Sequence, residues 1–309
     1  MELFGLPALE IVYILTGIVL TIVAIQSFND KENTKRVGTG LFWLTYAISF
    51  MFGKYIPDEI NGWMVIFMAA IVATKQLGKG FYNESSTEMK LSESKRIGNA
   101  IFVPALLVGV VTFLVGIYTK LGALVGLGIA AMVALFVAVF LTRVSIHQGF
   151  NEGRRLIDAI GWTAILSQLL AALGYVFGIA GVGKVIATGI SSVIPVDNVF
   201  AVVATYCLGM ALFTIVMGNA FAAFAMMTTG IGIPMLINMH NANPAMIGPI
   251  AMLAGYCGTL LTPMAANFNI VPTALLEMKD QYGVIKAQWP VAVSLLVFNI
   301  LLMYYFMVF

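Results

Sequence analysis

The chain has 309 residues, of which 61% are hydrophobic and only 10% charged, and its net charge is +2. A soluble domain carries roughly 25% charged residues, so this sequence has too little charge to cover a water-facing surface. It predicts an integral membrane protein and excludes a soluble enzyme, a nucleic-acid-binding domain and a disulfide-stapled secreted scaffold.

The start, Met1-Glu2-Leu3-Phe4, has no basic region, so the first apolar stretch is expected to stay in the mature protein. A spanning helix needs about 20 apolar residues. Stretches near 7–28, 37–53, 61–77, 97–118, 121–142 and 159–181 meet that standard, and the last lies near 287–309. They are too long for the roughly ten-residue alternating strands of a membrane barrel. The polar stretch 78–96 reads as a cytoplasmic linker between a three-helix unit, 1–77, and a transport-like core, 97–309. The glycosylation tripeptide Asn83-Glu84-Ser85 lies in it, on the side expected to face the cytoplasm.

Basic residues mark the cytoplasmic loops. Lys31, Lys35 and Arg36 lie in one loop; Lys75, Lys79, Lys90, Lys95 and Arg96 in the next; Arg143, Arg154 and Arg155 in a third. The alternate connections carry only Lys54, Lys120 and Lys184. This alternation puts both termini outside a multi-pass protein of the bacterial cytoplasmic (inner) membrane.

Several motifs fail their context. Gly178 to Lys184 has the spacing of a phosphate loop but ends in Val185 and follows a membrane helix, not a strand. Gly122/Gly126 and Gly174/Gly178 read as helix-packing pairs. His147 and His240 are far apart in sequence, and Cys207 and Cys257 lie in apolar runs, so no metal centre is expected from them. No Asp or Glu stands in the middle of a span, which weighs against a carboxylate proton relay.

The region 198–278 is apolar but interrupted. An apolar run to Met217 is followed by Gly218-Asn219 and a second run to Ile237, with no charge at the turn. A neutral Gly-Asn turn suits a protein-buried place, because lipid cannot satisfy its backbone groups. It reads as the tip of a re-entrant hairpin, 198–238, or as the turn between two full spans. Farther on, the crossing 244–278 contains Thr262-Pro263-Met264-Ala265-Ala266-Asn267-Phe268-Asn269-Ile270-Val271-Pro272. Pro263 lacks an N–H and disfavours helix at Thr262. Asn269 is the expected N-cap of a restarted half-helix with Pro272 in its first turn. Thr259 and Thr262 add hydroxyls beside the break. Broken helices of this kind build the midplane sites of secondary transporters.

Gly218-Asn219-Ala220 at a turn, followed by Gly258 to Asn269 at a break, resembles one repeat of the ion transporter superfamily. More closely, residues from about 5 to 309 resemble the larger subunit of the two-subunit 5-oxoproline transporter family. The resemblance implies that Gly218 and Asn219 at the tip, and Thr262, Pro263, Asn267 and Asn269 at the break, surround substrate and ion. The sequence departs from the superfamily pattern in flanking Asn219 by Gly218 and Ala220, and in placing Met264 where a second proline is usual. Full-length superfamily members carry two such repeats; this chain has one tip and one break. The resemblance therefore implies a second, smaller membrane subunit, with a homodimer as the rival.

The expected fold is an all-α polytopic helical bundle with a re-entrant hairpin, a broken transmembrane helix and one superfamily-like repeat. The expected function is a subunit of a cation-coupled secondary transporter for a small carboxylate, and no enzymatic activity is expected. Its ligand-binding residues would be Gly218, Asn219, Ala220, Thr259, Thr262, Pro263, Asn267 and Asn269. The coupling ion would be Na+ or H+, with Na+ near Asn219 and Asn267, and no other cofactor is expected. A non-transporting membrane scaffold is the alternative.

Overall fold

A computed structural model describes residues 2–3, 6–80, 82, 87–143, 145–276 and 278–308. The tripeptide Asn83-Glu84-Ser85 and the side chain of His147 lie outside the described residues. Apart from a two-residue ladder pairing Glu2 with Pro7 and Leu3 with Leu6, the regular structure is helical, and the protein is an all-α polytopic membrane protein. Among the described residues, six helical stretches are long and apolar enough to cross a bilayer: Ala8–Asn29, Leu91–Tyr118, Ala123–Thr142, Val199–Met217, Ala220–Met239 and Gly283–Val308. Contacts group the chain into two compact units, 1–161 and 162–309. The linker 78–96, expected as a boundary, lies within the first.

In the first unit, α1 (Ala8–Asn29) and α2 (Arg36–Phe52) form an antiparallel pair. A side chain on Gly17 would run into Met51, and one on Gly40 would run into Phe28, so each glycine admits the facing helix. The pair buries Phe42 and Trp43 almost completely. Next comes α3 (Asp58–Ala73), with Asp58 and Glu59 in its first turn, where the helix dipole favours acid. The expected linker contains a helix, α4 (Thr87–Ile97), which runs through a 3-10 turn into α5 (Val103–Tyr118). α5 pairs with α6 (Ala123–Thr142).

The expected basic loop 143–158 is instead largely α7 (Ile146–Ile160), capped by Ser145, whose hydroxyl accepts from the Gln148 N–H. Arg154, expected in a cytoplasmic loop, is buried on this helix, and so is Asp158. Arg154 is paired there with Asp30, its Nη2 2.7 Å from Asp30 Oδ2, which offsets part of the cost of burying it.

The second unit begins with α8 (Thr163–Ile179) and α9 (Val182–Val193), the latter unanticipated because it is short and interrupted by glycine. Gly183, in the stretch with phosphate-loop spacing, lies in α9 and packs against the backbone of Met226 and Gly230. Asn198 caps α10 (Val199–Met217) by accepting from the Ala201 N–H. α11 (Ala220–Met227) follows, then a π-helical stretch, Thr228–Met239, containing Pro234. Asn243 caps α12 (Pro244–Thr259), with Pro244 in the first turn, where a missing N–H is harmless. α13 (Ala266–Leu275) and α14 (Gly283–Val308) complete the unit. Its core is Tyr206, Met210, Met227, Ile231, Leu236 and Ala251.

Candidate functional site: a hairpin tip against a helix break

The apolar run ending at Met217 stops because Gly218 adopts a left-handed conformation, φ 65°. Only glycine does so without strain. The next residue starts the return arm: Asn219 Oδ1 accepts from the N–H groups of Phe221 and Ala222 at 2.9 and 3.4 Å. The turn is therefore self-capped and needs no solvent.

The second interruption is a true break. α12 ends at Thr259, residues 260–265 are not helical, and α13 starts at Ala266. Four side-chain hydrogen bonds hold this segment. Thr262 Oγ1 donates to the Ile215 carbonyl at 2.8 Å and accepts from the Met264 N–H at 3.2 Å. Asn269 Nδ2 donates to the carbonyls of Thr259 and Thr262 at 2.7 and 2.6 Å. Asn269 is thus not the N-cap expected from its sequence position. It sits inside α13 and reaches back to bridge the break, and Pro272 falls within the helix, not in its first turn. The helix restarts earlier because Pro263 disrupts only the residues around it, and Ala265 to Phe268 can wind at once.

Tip and break touch. A methyl group on Gly218 would stand 2.5 Å from the Met264 carbonyl oxygen, and the Thr262–Ile215 bond fastens the break to the end of α10. Between them lies a cavity of about 210 Å³ lined by Asn219, Tyr256, Thr259, Asn267 and Phe268 among others. Among the described residues, no charged side chain lines it.

Residues 10–309 match the family described as Protein of unknown function (DUF979). The chain belongs to the DUF979 family. No curated protein and no solved structure matches it.

In this DUF979 chain the eight expected ligand residues take three kinds of place. Gly218, Asn219, Ala220, Thr259 and Asn267 line the cavity. Thr262 and Asn269 are buried behind it, at 2% and 0% exposure, and brace the break. Pro263 is exposed and lies outside the lining. The hydrogen bonding separates them further. The Oδ1 of Asn219 is engaged in capping, and its Nδ2 has no partner among the described residues, which leaves a donor open on the lining. The Asn267 amide has no partner among the described residues, leaving both donor and acceptor open. The first turn of α13 has no side-chain cap, and with Asn267 and Phe268 on the lining that turn borders the cavity. Uncapped N–H groups at a helix start favour an anion.

Sequence reasoning missed the aromatic lining. Phe221 and Tyr256 meet edge to face at 6.3 Å between centroids, and both border the cavity. It also missed Gln288, whose Nε2 donates to Asn269 Oδ1 at 2.6 Å. An uncharged amide near the start of an apolar helix was the available signal.

Proposed function

We propose that this chain is a membrane subunit of a secondary transporter for a small carboxylate, with 5-oxoproline as the substrate. The observation that carries this reading is the meeting of the hairpin tip and the helix break around one small uncharged cavity. Donor groups dominate its polar part: Asn219 Nδ2, the Asn267 amide and the open first turn of α13. They suit a carboxylate without placing a permanent cation in the bilayer. Phe221, Tyr256 and Phe268 supply an apolar wall for the rest of a small molecule.

The coupling ion in this proposal is Na+ or H+. A Na+ would use the Asn267 amide oxygen and carbonyls of residues 260–265, because capping of α11 occupies Asn219 Oδ1. The hairpin is re-entrant, its tip lying at membrane depth, and both termini are outside the cytoplasmic membrane. A second, smaller membrane subunit supplies the other tip and break.

Uptake of labelled 5-oxoproline into proteoliposomes tests this, with the chain alone and with the partner encoded beside it, with and without a Na+ gradient. Uptake by the pair and none by the chain alone is expected. If the pair neither binds nor moves the compound or related small carboxylates, the transport reading fails and the scaffold reading replaces it.

A further inference from the structure

A second polar centre lies in the first unit. Arg154, on α7, stands between two carboxylates: its Nη2 is 2.7 Å from Asp30 Oδ2, and its Nε is 3.5 Å from Asp158 Oδ2. All three side chains are more than nine-tenths buried. Counted over these three side chains, two acids and one base carry one negative charge in excess, and an excess of buried charge is costly.

The two carboxylates are not equivalent. Asp30 accepts the short bond from Arg154, and its Oδ1 accepts from the N–H groups of Glu32 and Asn33. Asp158 accepts from Trp43 Nε1 at 2.8 Å and from the Tyr82 hydroxyl at 2.6 Å. Its approach to Arg154 is too long for a hydrogen bond, and Arg154 Nε, although buried, has no hydrogen-bond partner. The excess charge therefore resides on Asp158. The contacts also tie separate pieces of chain together: α7, the loop after α1, α2 through Trp43, and Tyr82, whose hydroxyl accepts from the Gly80 N–H.

We propose that Asp30, Arg154 and Asp158 form a proton-binding site, in which Asp158 takes the proton and the proton controls how firmly α7 is fastened. One proton neutralises the cluster. The charged and titratable groups facing Asp158 among the described residues are Arg154 on its own helix, Asp30 from the loop after α1 and Tyr82 from the segment beyond α3. Burial pushes the Asp158 carboxyl above the ordinary carboxylate range, outweighing the hydrogen bonds from Tyr82 and Trp43 and the charge of Arg154. The sign follows by linkage. A carboxyl raised in the folded state favours the proton-bound fold, so the fastening is complete below the ordinary aspartate value and weakens as pH rises through the raised one.

Trp43 reports directly on this site. In the full chain in liposomes, with Trp63, Trp162 and Trp289 replaced by Phe, Trp43 emission should titrate with a midpoint above the ordinary aspartate range. Asp158→Asn should abolish that transition. Tyr82→Phe removes a bond that favours the ionised form, so it should move the midpoint to higher pH; this variant keeps the test decisive if Asp158→Asn fails to fold. An unchanged titration in Asp158→Asn, a shift to lower pH in Tyr82→Phe, or a flat curve in the otherwise native chain would overturn the proposal. None of these readings depends on substrate.

Discussion

The Gln288 side-chain amide donates to Asn269 Oδ1 at 2.6 Å, and this bond leaves Asn269 Nδ2 aimed at the two carbonyls of the helix break. Asn269 is fully buried and fully bonded, so it acts as a strut. Asn269→Ala orphans the Thr259 and Thr262 carbonyls and the Gln288 amide. An orphaned buried group costs about 1–3 kcal/mol. Thermal unfolding in detergent should drop clearly for Asn269→Ala and less for Gln288→Ala, which orphans one acceptor. Equal unfolding temperatures for Asn269→Ala and the native chain would remove the strut role.

Gly218→Ala should damage the tip in two ways. A left-handed conformation costs a non-glycine residue about 1–2 kcal/mol, and the new methyl meets the Met264 carbonyl, which is backbone and cannot swing away. Gly109→Ala on α5 meets nothing within 4 Å, and there alanine should be neutral or stabilising by up to about 1 kcal/mol. Unfolding measured side by side checks the contrast, and similar behaviour of the two variants would contradict it.

Asn219 has a structural task and a proposed ligand task that substitution can separate. Asn219→Asp keeps an oxygen to cap α11 but puts a negative charge beside the cavity. Asn219→Ala loses the cap, worth about 1 kcal/mol. Asp should therefore preserve stability better than Ala. Uptake by the Asp variant should still fall roughly tenfold or more, the scale of a lost hydrogen bond to a charged group. Normal carboxylate uptake by Asn219→Asp would remove Asn219 from the site.

The two native cysteines are buried, at 0% and 3% exposure. A water-soluble maleimide should leave them untouched until the protein is unfolded, because thiol reaction needs access. That silence permits a test of sidedness. Cysteines introduced for Lys79 and Lys184 should label from opposite faces of the membrane. Labelling of both from one face would reverse the assignment drawn from the basic loops.

Interruptions were legible where chemistry is blunt. Gly218-Asn219 and Pro263 stand out in apolar sequence because each removes or redirects backbone bonding. The location of the restart was not legible. Pro272 is tolerated in a first turn and also inside a short helix whose neighbours satisfy the vacated carbonyl, and only the fold decides. Arg154 was counted with the basic loop residues because a count cannot see Asp30, 124 residues away in the chain, or that Asp158 lies one helical turn on, on the same helix. Tyr256 and Gln288 were passed over for a related reason. Aromatic and amide residues are common in apolar helices, and their roles arise from the neighbours the fold brings to them.

The return arm of the hairpin carries one more consequence. Residues 228–239 are wound with i→i+5 bonds, and Pro234 within them contributes no N–H. A segment wound this way is wider and shorter than the same residues wound with i→i+4 bonds. Rewinding this stretch would lengthen the arm and push residues 218–220 along its axis while each peptide group exchanged one carbonyl partner for the next. The reach of this arm is therefore set by its winding and not by a loop.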